Sequence, residues 1–411
     1  MTTQHTTRIQ AIDFTRGLAL FGILIIKIQT FALFFFLLSP DQVYALKLDK
    51  PESYVPLNFA IKFLIEGQFY TTYSFLFGLG FYLLIEKYER QGLDGNKLFK
   101  RRLWILLVFG LIHGLFFWFG DILHKYALLG FTLLYFNKKS VQVLLKWIAG
   151  LITFVIVITL VKYSFFVTEK GIAADAKEMA GMVGGFIEAW KHGSFTEVMG
   201  YQKFGVLVGH LINISSGFFY YIHYEIMFLI GLIVGKIDLL NNFSGYKPVL
   251  RRLVYFILPI ALSLKGISCL PLIGIALFKN TVYQELTVTL LQFVGVPLLT
   301  LSYLILIFLL FPEKQTRITT WIANTGRLGL TNYLAQTLIC MILFYGYAFG
   351  LSGKLTLLET MGIALLIYIA QIVYSNIWLQ YFSTGPMEKV WQKLTMYKKS
   401  YPYKGNYSNA S

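Results

Sequence analysis

Cysteine and acidic residues are scarce in this 411-residue chain. It has 2 cysteines, and 20 Asp and Glu residues stand against 36 Lys and Arg residues. Both cysteines, Cys269 and Cys340, lie inside apolar runs, which argues against a disulfide framework. Charged residues make up only 14% of the chain and hydrophobic residues 56%. This balance excludes an ordinary soluble domain, because a soluble core cannot absorb that much apolar surface.

The sequence also lacks the short motifs of several soluble enzymes. It has no GxxxxGKS/T phosphate-binding loop, no GxSxG nucleophile turn, no HExxH zinc helix and no paired cysteine ligands. The net charge of +16 comes without a compact basic face or a nucleic-acid-reading motif. We therefore expect neither a metal site nor a nucleic-acid partner. Contact with anionic membrane lipids accounts better for the basic residues, which lie mainly between apolar runs.

Long apolar runs are the main positive feature. Each approaches the roughly 20 residues that cross the hydrocarbon core of a bilayer. They predict an all-α fold, a polytopic transmembrane bundle of about ten spanning helices that forms a single integral membrane domain over residues 1–411. We interpret the first run as a retained helix and not as a signal peptide. The predicted spans are 12–38, 69–85, 103–119, 122–136, 141–166, 218–234, 253–278, 286–311, 328–350 and 357–382.

Basic residues cluster in alternate connections of this predicted bundle. They follow the second, fourth, sixth and eighth spans, as the positive-inside rule requires of cytoplasmic loops. Both termini are therefore predicted to be cytoplasmic, in a multi-pass protein of the bacterial cytoplasmic (inner) membrane. The basic residues are Lys87, Arg90, Lys97, Lys100, Arg101, Arg102, Lys138, Lys139, Lys236, Lys247, Arg251, Arg252, Lys314 and Arg317, with Lys389, Lys393, Lys398 and Lys399 in the tail.

The longest polar connection, residues 168–204, separates two groups of helices. Its near-balanced charge and helical spacing predict an external amphipathic segment, either a lid or a surface connection. The N-terminal group, residues 12–166, holds the candidate site. The C-terminal group covers residues 218–396.

Ionisable residues inside the first predicted helix point to function, because charges are costly in lipid. Asp13 and Arg16 are three residues apart and can pair. Lys27 follows Arg16 by three turns and returns to about the same face. The stripe predicts a cationic wall for an anionic, phosphate-bearing donor. The alternative is a structural Asp13–Arg16 pair, with the Lys27 side chain reaching toward the membrane surface.

The third and fourth predicted helices form an external hairpin that carries His113, Asp121, His124, Lys125 and Tyr126. A histidine beside a carboxylate can act as a general base, since the acid orients the imidazole and raises its basicity. His113 and Asp121 are therefore candidate catalytic residues, and Tyr126 is a candidate cavity-lining residue. A histidine satisfied at a helix interface is the alternative for His113, and Asp121 could instead pair with Lys125.

Two further groups complete the candidate set. Glu66, a candidate acid or base, and Gln68, a candidate cavity-lining residue, precede the second helix at the external boundary. A headgroup-level carboxylate is the alternative for Glu66. Arg327 begins the ninth helix at the cytoplasmic side and is a candidate donor-binding residue. Asn332 and Gln336 share a face deeper in the membrane, where they line a cavity or make interhelical hydrogen bonds.

Five sequence blocks give the chain a resemblance to the YeiB family of bacterial inner-membrane proteins, whose C-terminal half is a domain of unknown function. The resemblance covers nearly the whole chain. One residue departs from the family pattern: Lys27 stands where the family more usually has asparagine. The blocks are RIQAIDFTRGLALFGILIIKIQT, EGQFYTTYSFLFGLGF, RRLWILLVFGLIHGLFFWFGDILHKYALLG, GRLGLTNYLAQTLIC and GPMEKVWQKLTMY.

The family is distantly similar to membrane acyltransferases, which move an acyl group from a cytoplasmic donor to an acceptor. That resemblance implies a helical bundle around a central pore, with acyl-CoA as donor substrate and no covalently bound cofactor. The acceptor would be a small molecule or a lipid-linked group, and a homo-oligomer is compatible with the sequence. We hypothesise that Arg16, Lys27 and Arg327 hold the donor, with Asp13 beside them, and that His113 with Asp121 or Glu66 handles the acceptor proton.

Two other hypotheses come from different functional classes. The same polar residues could form the pathway of a transporter for a small anionic solute. Alternatively, the chain could be a membrane scaffold or sensor without a polar site. Counterflow in proteoliposomes separates the first two, because a carrier exchanges its substrate unchanged.

Overall fold

The computed structural model of the chain describes residues 2–35, 37, 38, 40–312 and 315–396. Lys314, Lys398 and Lys399, which the topology prediction uses, lie outside them. The described residues form sixteen α-helices and one short 3-10 helix at Leu270–Ile273. The α-helices are α1 (Thr2–Leu33), α2 (Pro40–Ala45), α3 (Pro51–Leu64), α4 (Gln68–Arg90), α5 (Gly95–Phe116), α6 (Leu123–Phe136), α7 (Val141–Phe165), α8 (Glu169–His192), α9 (Phe195–Ser215), α10 (Phe219–Lys236), α11 (Phe243–Cys269), α12 (Thr281–Leu310), α13 (Arg317–Arg327), α14 (Gly329–Phe344), α15 (Leu357–Tyr381) and α16 (Pro386–Met396).

Every predicted span overlaps one of these helices, so the all-α fold class is confirmed. Five helices of the described chain are long and apolar enough to cross a membrane: α7, α10, α11 with its 3-10 extension, α12 and α15. Helices α13 and α14 meet at 80° and would make a sixth span if they are counted together. The apolar helices indicate a membrane protein. The count of ten spans and the cytoplasmic termini stay predictions.

The outer helices present apolar side chains away from the protein. On α7, Phe154, Val157 and Leu160 are all exposed. Water would penalise such a surface, whereas hydrocarbon does not. By contrast, α10 is central, and most of its side chains are buried.

Helix α10 packs against α4 with the two backbones nearly in contact. A Cβ atom added at Gly78 would lie 2.0 Å from the carbonyl oxygen of Phe228, and one added at Gly231 would lie 2.1 Å from that of Phe75. Only glycine permits such an approach at either position. The pairing fixes α4 and α10 as the central layer, against which α6 and α7 also pack.

The polar connection at 168–204 is helical, as predicted, but α8 does more than lie on a surface. Trp190 and Phe186 are buried in the main core cluster, where Trp190 stacks on Phe31 of α1. After α8, Ser194 forms the capping box that starts α9. Hydrogen bonds from the backbone N–H and the hydroxyl of Ser194 hold the pKa of Glu197 below its usual value. Helix α9 can thus begin immediately after α8 and return toward the hairpin.

Candidate functional site

The hairpin of α5 and α6 brings the predicted histidine and carboxylate together. A Cβ atom at Gly110 would lie 2.2 Å from the backbone nitrogen of His124, so glycine is needed for the two helices to approach this closely. The chain then turns through residues 117–122, and Asp121 accepts a hydrogen bond from the backbone N–H of His124 at 3.0 Å. Asp121 therefore caps the start of α6 while facing α5.

Asp121 holds a histidine on each carboxylate oxygen. Its Oδ1 lies 2.7 Å from Nδ1 of His113, and its Oδ2 lies 2.7 Å from Nδ1 of His124. The hydroxyl of Tyr333 also donates to Oδ1, at 3.3 Å. Asp121 is completely buried, and the two histidines are nearly so. A buried carboxylate with four donors is well satisfied, which is what allows a charge to remain in this interior.

Lys27 and Thr337 complete the other side of His113. Thr337 Oγ1 lies 2.8 Å from His113 Nε2, and Lys27 Nζ donates to the same Oγ1 at 3.0 Å. Lys27 also donates to the carbonyl oxygen of Tyr333 at 3.1 Å, and its ammonium lies 3.8 Å from the centre of the Tyr333 ring. Lys27 and Thr337 have no exposed surface. Lysine, threonine, histidine and aspartate therefore form one buried row.

A second branch leaves Asp121 on the opposite side. His124 Nε2 lies 3.1 Å from His210 Nε2 of α9, and His210 Nδ1 contacts the hydroxyl of Tyr221 on α10. Unlike Asp121 and His124, His210 and Tyr221 are only partly buried. The branch thus leads from the interior to the edge of the bundle.

The hydrogen-bonding roles follow from this arrangement. Asp121 accepts, so His113 and His124 each carry a proton on Nδ1 and present Nε2 as an acceptor. Thr337 can then donate to His113, and His210 to His124. All donations converge on Asp121, from Lys27 at one end and Tyr221 at the other. A neutral His113 whose Nε2 accepts from a hydroxyl is the arrangement that a general base requires.

The remaining predicted site residues lie elsewhere. Arg16 pairs with Asp13 at 2.9 Å, and Arg327 donates to the carbonyl oxygen of Ser383 at 3.1 Å. Arg16 is 11 residues before Lys27 on the same helix, which corresponds to about 16 Å along the axis. Lys27 therefore belongs with His113 and does not form a single cationic wall with Arg16.

Glu66 lies apart from both His113 and Arg16. Its carboxylate lies 3.9 Å from Lys62 Nζ, and its side chain is about one-third exposed. Gln68, the neighbouring candidate, is fully buried. With its amide oriented to satisfy both ends, its nitrogen donates to the carbonyl oxygen of Ile65 at 2.9 Å. Glu66 lies in the turn before α4, and Gln68 is the first residue of that helix. The direct carboxylate partner of His113 is Asp121.

The other predicted cavity-lining residues make hydrogen bonds at helix interfaces, which is the alternative that the sequence leaves open for Asn332 and Gln336. Asn332 donates to Ser375 at 3.0 Å, and Gln336 donates to Gln371 at 3.0 Å, so α14 is tied to α15. Tyr126 donates to the carbonyl oxygen of Tyr70 at 2.6 Å and joins α6 to α4. The donors of these groups are hydrogen-bonded inside the bundle, whereas the amide oxygens of Asn332 and Gln336 are buried and have no partner among the described residues.

Sequence reasoning missed Thr337, Tyr333 and the His210–Tyr221 branch. Thr337 follows Gln336 directly, but a threonine in an apolar helix gives no signal of its own. His210 lies outside the predicted hairpin, and no sequence spacing relates it to His124. Among the described residues, no group of three or more histidine, cysteine or acidic side chains has an arrangement that could hold a metal ion.

Comparison with known proteins places these residues in a family of unassigned activity. Residues 234–398 match the family described as "Protein of unknown function (DUF418)". The chain is 30% identical over 404 residues to the uncharacterized protein YxaH of Bacillus subtilis, covering 94% of each chain. It is 28% identical over 400 residues to the uncharacterized protein YeiB of Escherichia coli, covering 94% of this chain and 95% of that one. No solved structure matches the chain.

Proposed function

We propose that this chain, which belongs to the family of YxaH and YeiB, is a membrane acyltransferase that moves an acyl group from a cytoplasmic donor such as acyl-CoA to a small-molecule or lipid-linked acceptor. The observation that carries the proposal is the row formed by Thr337, His113 and Asp121. In it an aspartate orients a histidine, and the other nitrogen of that histidine faces a hydroxyl. This is the geometry of a nucleophile or acceptor activated by a base that is itself oriented.

The donor would bind where α13 and α14 meet. Arg16 and Arg327 both attract the Asp13 carboxylate, and the positive charges of Arg102 and Arg16 are close enough to repel each other. The guanidinium of Arg102 lies 3.4 Å from the centre of the Trp391 ring on α16. Arginine suits phosphate because its donors form a planar fork. These arginines support a binding site for the anionic part of the donor, and Lys27 serves the hydroxyl site instead.

The proposal includes the full predicted topology. Ten spans with both termini in the cytoplasm would place the arginines on the cytoplasmic side and the hairpin turn toward the outside, in a bacterial inner membrane. The apolar helices and the bacterial relatives support this placement. Reporter fusions at the ends of α4, α6 and α10 test it, because active cytoplasmic reporters are expected at all three points and an external one would contradict the topology.

Enzyme assays test the chemistry directly. Purified protein should release free CoA from acetyl-, hexanoyl- or palmitoyl-CoA, and His113→Gln should lower the rate by about 10²- to 10⁴-fold, the usual contribution of general acid–base catalysis. His223→Gln is a matched control, because His223 is also buried in the bundle but contacts Tyr70 and the carbonyl oxygen of Phe293. Wild-type protein without turnover of any of these thioesters would remove the proposal.

A transporter is the second candidate, and one observation favours it. The hydrogen-bonded row and branch join Lys27 to Tyr221 through α14, α5, α6 and α9, as a proton relay in a carrier would. Counterflow in proteoliposomes tests this function. Exchange of an intact anionic solute, with loss of exchange in Asp121→Asn, supports a carrier. Chemical modification of the solute supports the enzyme.

A further inference from the structure

We infer that Thr337 carries the acyl group as a covalent ester between donor and acceptor. The inference rests on the proposed acyl transfer and adds the residue that becomes acylated. The hydroxyl of Thr337 differs in its hydrogen bonding from that of other buried threonines. Seven buried threonines in the helices of this protein donate their hydroxyl to the carbonyl oxygen four residues earlier: Thr15, Thr71, Thr72, Thr300, Thr325, Thr360 and Thr395.

Thr337 does not make this hydrogen bond, because Lys27 donates to the carbonyl oxygen that the Thr337 hydroxyl would otherwise use. The carbonyl four residues before Thr337 belongs to Tyr333, and it accepts from Lys27 Nζ. The hydroxyl of Thr337 is directed instead to His113 Nε2, at 2.8 Å. A hydroxyl bonded to a helix carbonyl keeps its proton, whereas one bonded to a basic nitrogen can lose it. The contact with His113 therefore distinguishes Thr337 from these seven threonines.

Lys27 also favours the ionised hydroxyl. Its ammonium donates to Thr337 Oγ1 at 3.0 Å, so a negative charge that develops on this oxygen is stabilised directly. Trp118 stands on the other side of Lys27, with its ring centre 4.8 Å from Nζ. Its indole N–H is buried and, among the described residues, has no hydrogen-bond partner. The proposed step therefore uses Lys27, and the unpartnered N–H of the neighbouring Trp118, as donors to the oxyanion of a tetrahedral intermediate.

The reaction balances in two steps. Thr337 Oγ1 attacks the thioester carbonyl of the donor, and its proton passes to His113 Nε2. The carbon–sulfur bond breaks, and the thiolate leaves with that proton as free CoA. An acceptor hydroxyl or amine then attacks the Thr337 ester, giving its proton to His113. The ester bond breaks, and Thr337 recovers the proton while the acyl group leaves on the acceptor. No oxidant or reductant is needed.

Acylation requires the packing around the row to open. Thr337, Lys27 and Asp121 have no exposed surface, and His113 is 4% exposed. His113, the Thr337 hydroxyl and the Lys27 ammonium are already in contact in this closed arrangement. Opening therefore has only to admit the acyl donor, because the reacting groups of the protein are already assembled.

The test uses purified full-length protein and acetyl-CoA labelled in the acetyl carbon. The protein is quenched in acid, and peptides are mapped by mass spectrometry. We expect label on Thr337 in wild-type protein and on the serine of Thr337→Ser. Thr337→Val, which keeps the shape but lacks the hydroxyl, should carry no label there and should turn over at least about 100-fold more slowly. Thr360→Val is the matched control, because Thr360 is equally buried but bonds to its helix carbonyl.

The outcomes separate the inference from the proposed function. Turnover by wild type and by Thr337→Val at similar rates, without label on Thr337, overturns the covalent step and leaves direct acyl transfer by His113 in place. Absence of turnover and label in wild type removes both. Melting temperatures of the variants in detergent show whether a slow variant is folded. Should Thr337→Val be unfolded, the labelled residue in wild type and in Thr337→Ser still decides the question.

Discussion

The buried row predicts an electrostatic coupling between Lys27 and Asp121, although the two residues form no direct salt bridge. Tyr333 lies between the charges, with its ring centre 3.8 Å from Lys27 Nζ and its hydroxyl 3.3 Å from Asp121 Oδ1. At a separation of about 8 to 10 Å and an effective dielectric constant of about 20, Coulomb's law gives about 2 kcal/mol. Removing either charge leaves the other buried with its hydrogen bonds but without the opposite charge of the row.

A double-mutant cycle measures this coupling. Lys27→Met and Asp121→Asn should each lower the free energy of unfolding by roughly 2 to 4 kcal/mol, as expected when one member of a buried pair is removed. The double variant should lose about 2 kcal/mol less than the sum of the two. Reversible unfolding of the four proteins by SDS in mixed micelles gives the values.

A second cycle provides the control. Lys265 is also a buried lysine, but its electrostatic neighbours are Glu66, Cys269 and Lys62. Lys265→Met and Asp121→Asn should therefore be additive within about 0.5 kcal/mol. A similar additivity for the Lys27 cycle would refute the coupling, and with it the interpretation of the row as one charge-balanced unit.

Two other predictions concern packing and helix capping. Gly78→Val should lower the melting temperature in detergent strongly, because a Cβ atom there meets the carbonyl oxygen of Phe228. Gly150→Ala, with no neighbour within 4 Å, should leave the melting temperature unchanged or slightly higher. Equal melting temperatures for the two variants would contradict the close packing of α4 and α10. Glu388 accepts from the N–H groups of Leu330 and Thr331 at 2.7 and 3.0 Å and from the Thr331 hydroxyl, so Glu388→Gln should cost about 1 to 2 kcal/mol in SDS unfolding. The exposed pair of Glu86 and Arg90 gives the control, since Glu86→Gln should change stability by less than about 0.5 kcal/mol; a loss for Glu86→Gln equal to that for Glu388→Gln would argue against the cap.

The apolar helices that are candidates to span a membrane could be predicted, because a long apolar run is itself a sufficient signal. The run predicted at 141–166 is α7 (Val141–Phe165), and that predicted at 218–234 is α10 (Phe219–Lys236). Helix α13 could not be found in this way. It has polar residues on one face and is only 11 residues long, so no long apolar run marks it. The predicted ninth span also extends past the end of α14, where Tyr345 leaves the helix.

The site could be predicted in part, for reasons that differ from residue to residue. His113 and Asp121 were recognised as polar groups of one hairpin, but their contact depends on the approach of α5 and α6 at Gly110. Helical periodicity places Lys27 and Arg16 on one face. It cannot show that the two residues meet different neighbours at different depths of the bundle. Thr337 needed the structure, because its role follows from which carbonyl Lys27 occupies.

Helix α14 connects the arginines at its start with the buried row at Thr337. The distance between these two regions limits which donor could reach both in the proposed reaction. Its first turn is capped by Glu388 and lies directly after Arg327, whereas Thr337 is eight residues after Gly329, about 12 Å further along the axis. In the proposed reaction, a donor held by its phosphates at the arginines would have to present its acyl carbon about 12 Å deeper in the bundle. An acyl phosphate cannot do this, because its anionic group adjoins its acyl carbon. A thioester on a long phosphorylated arm can meet this requirement, which supports acyl-CoA as the donor in the proposed function.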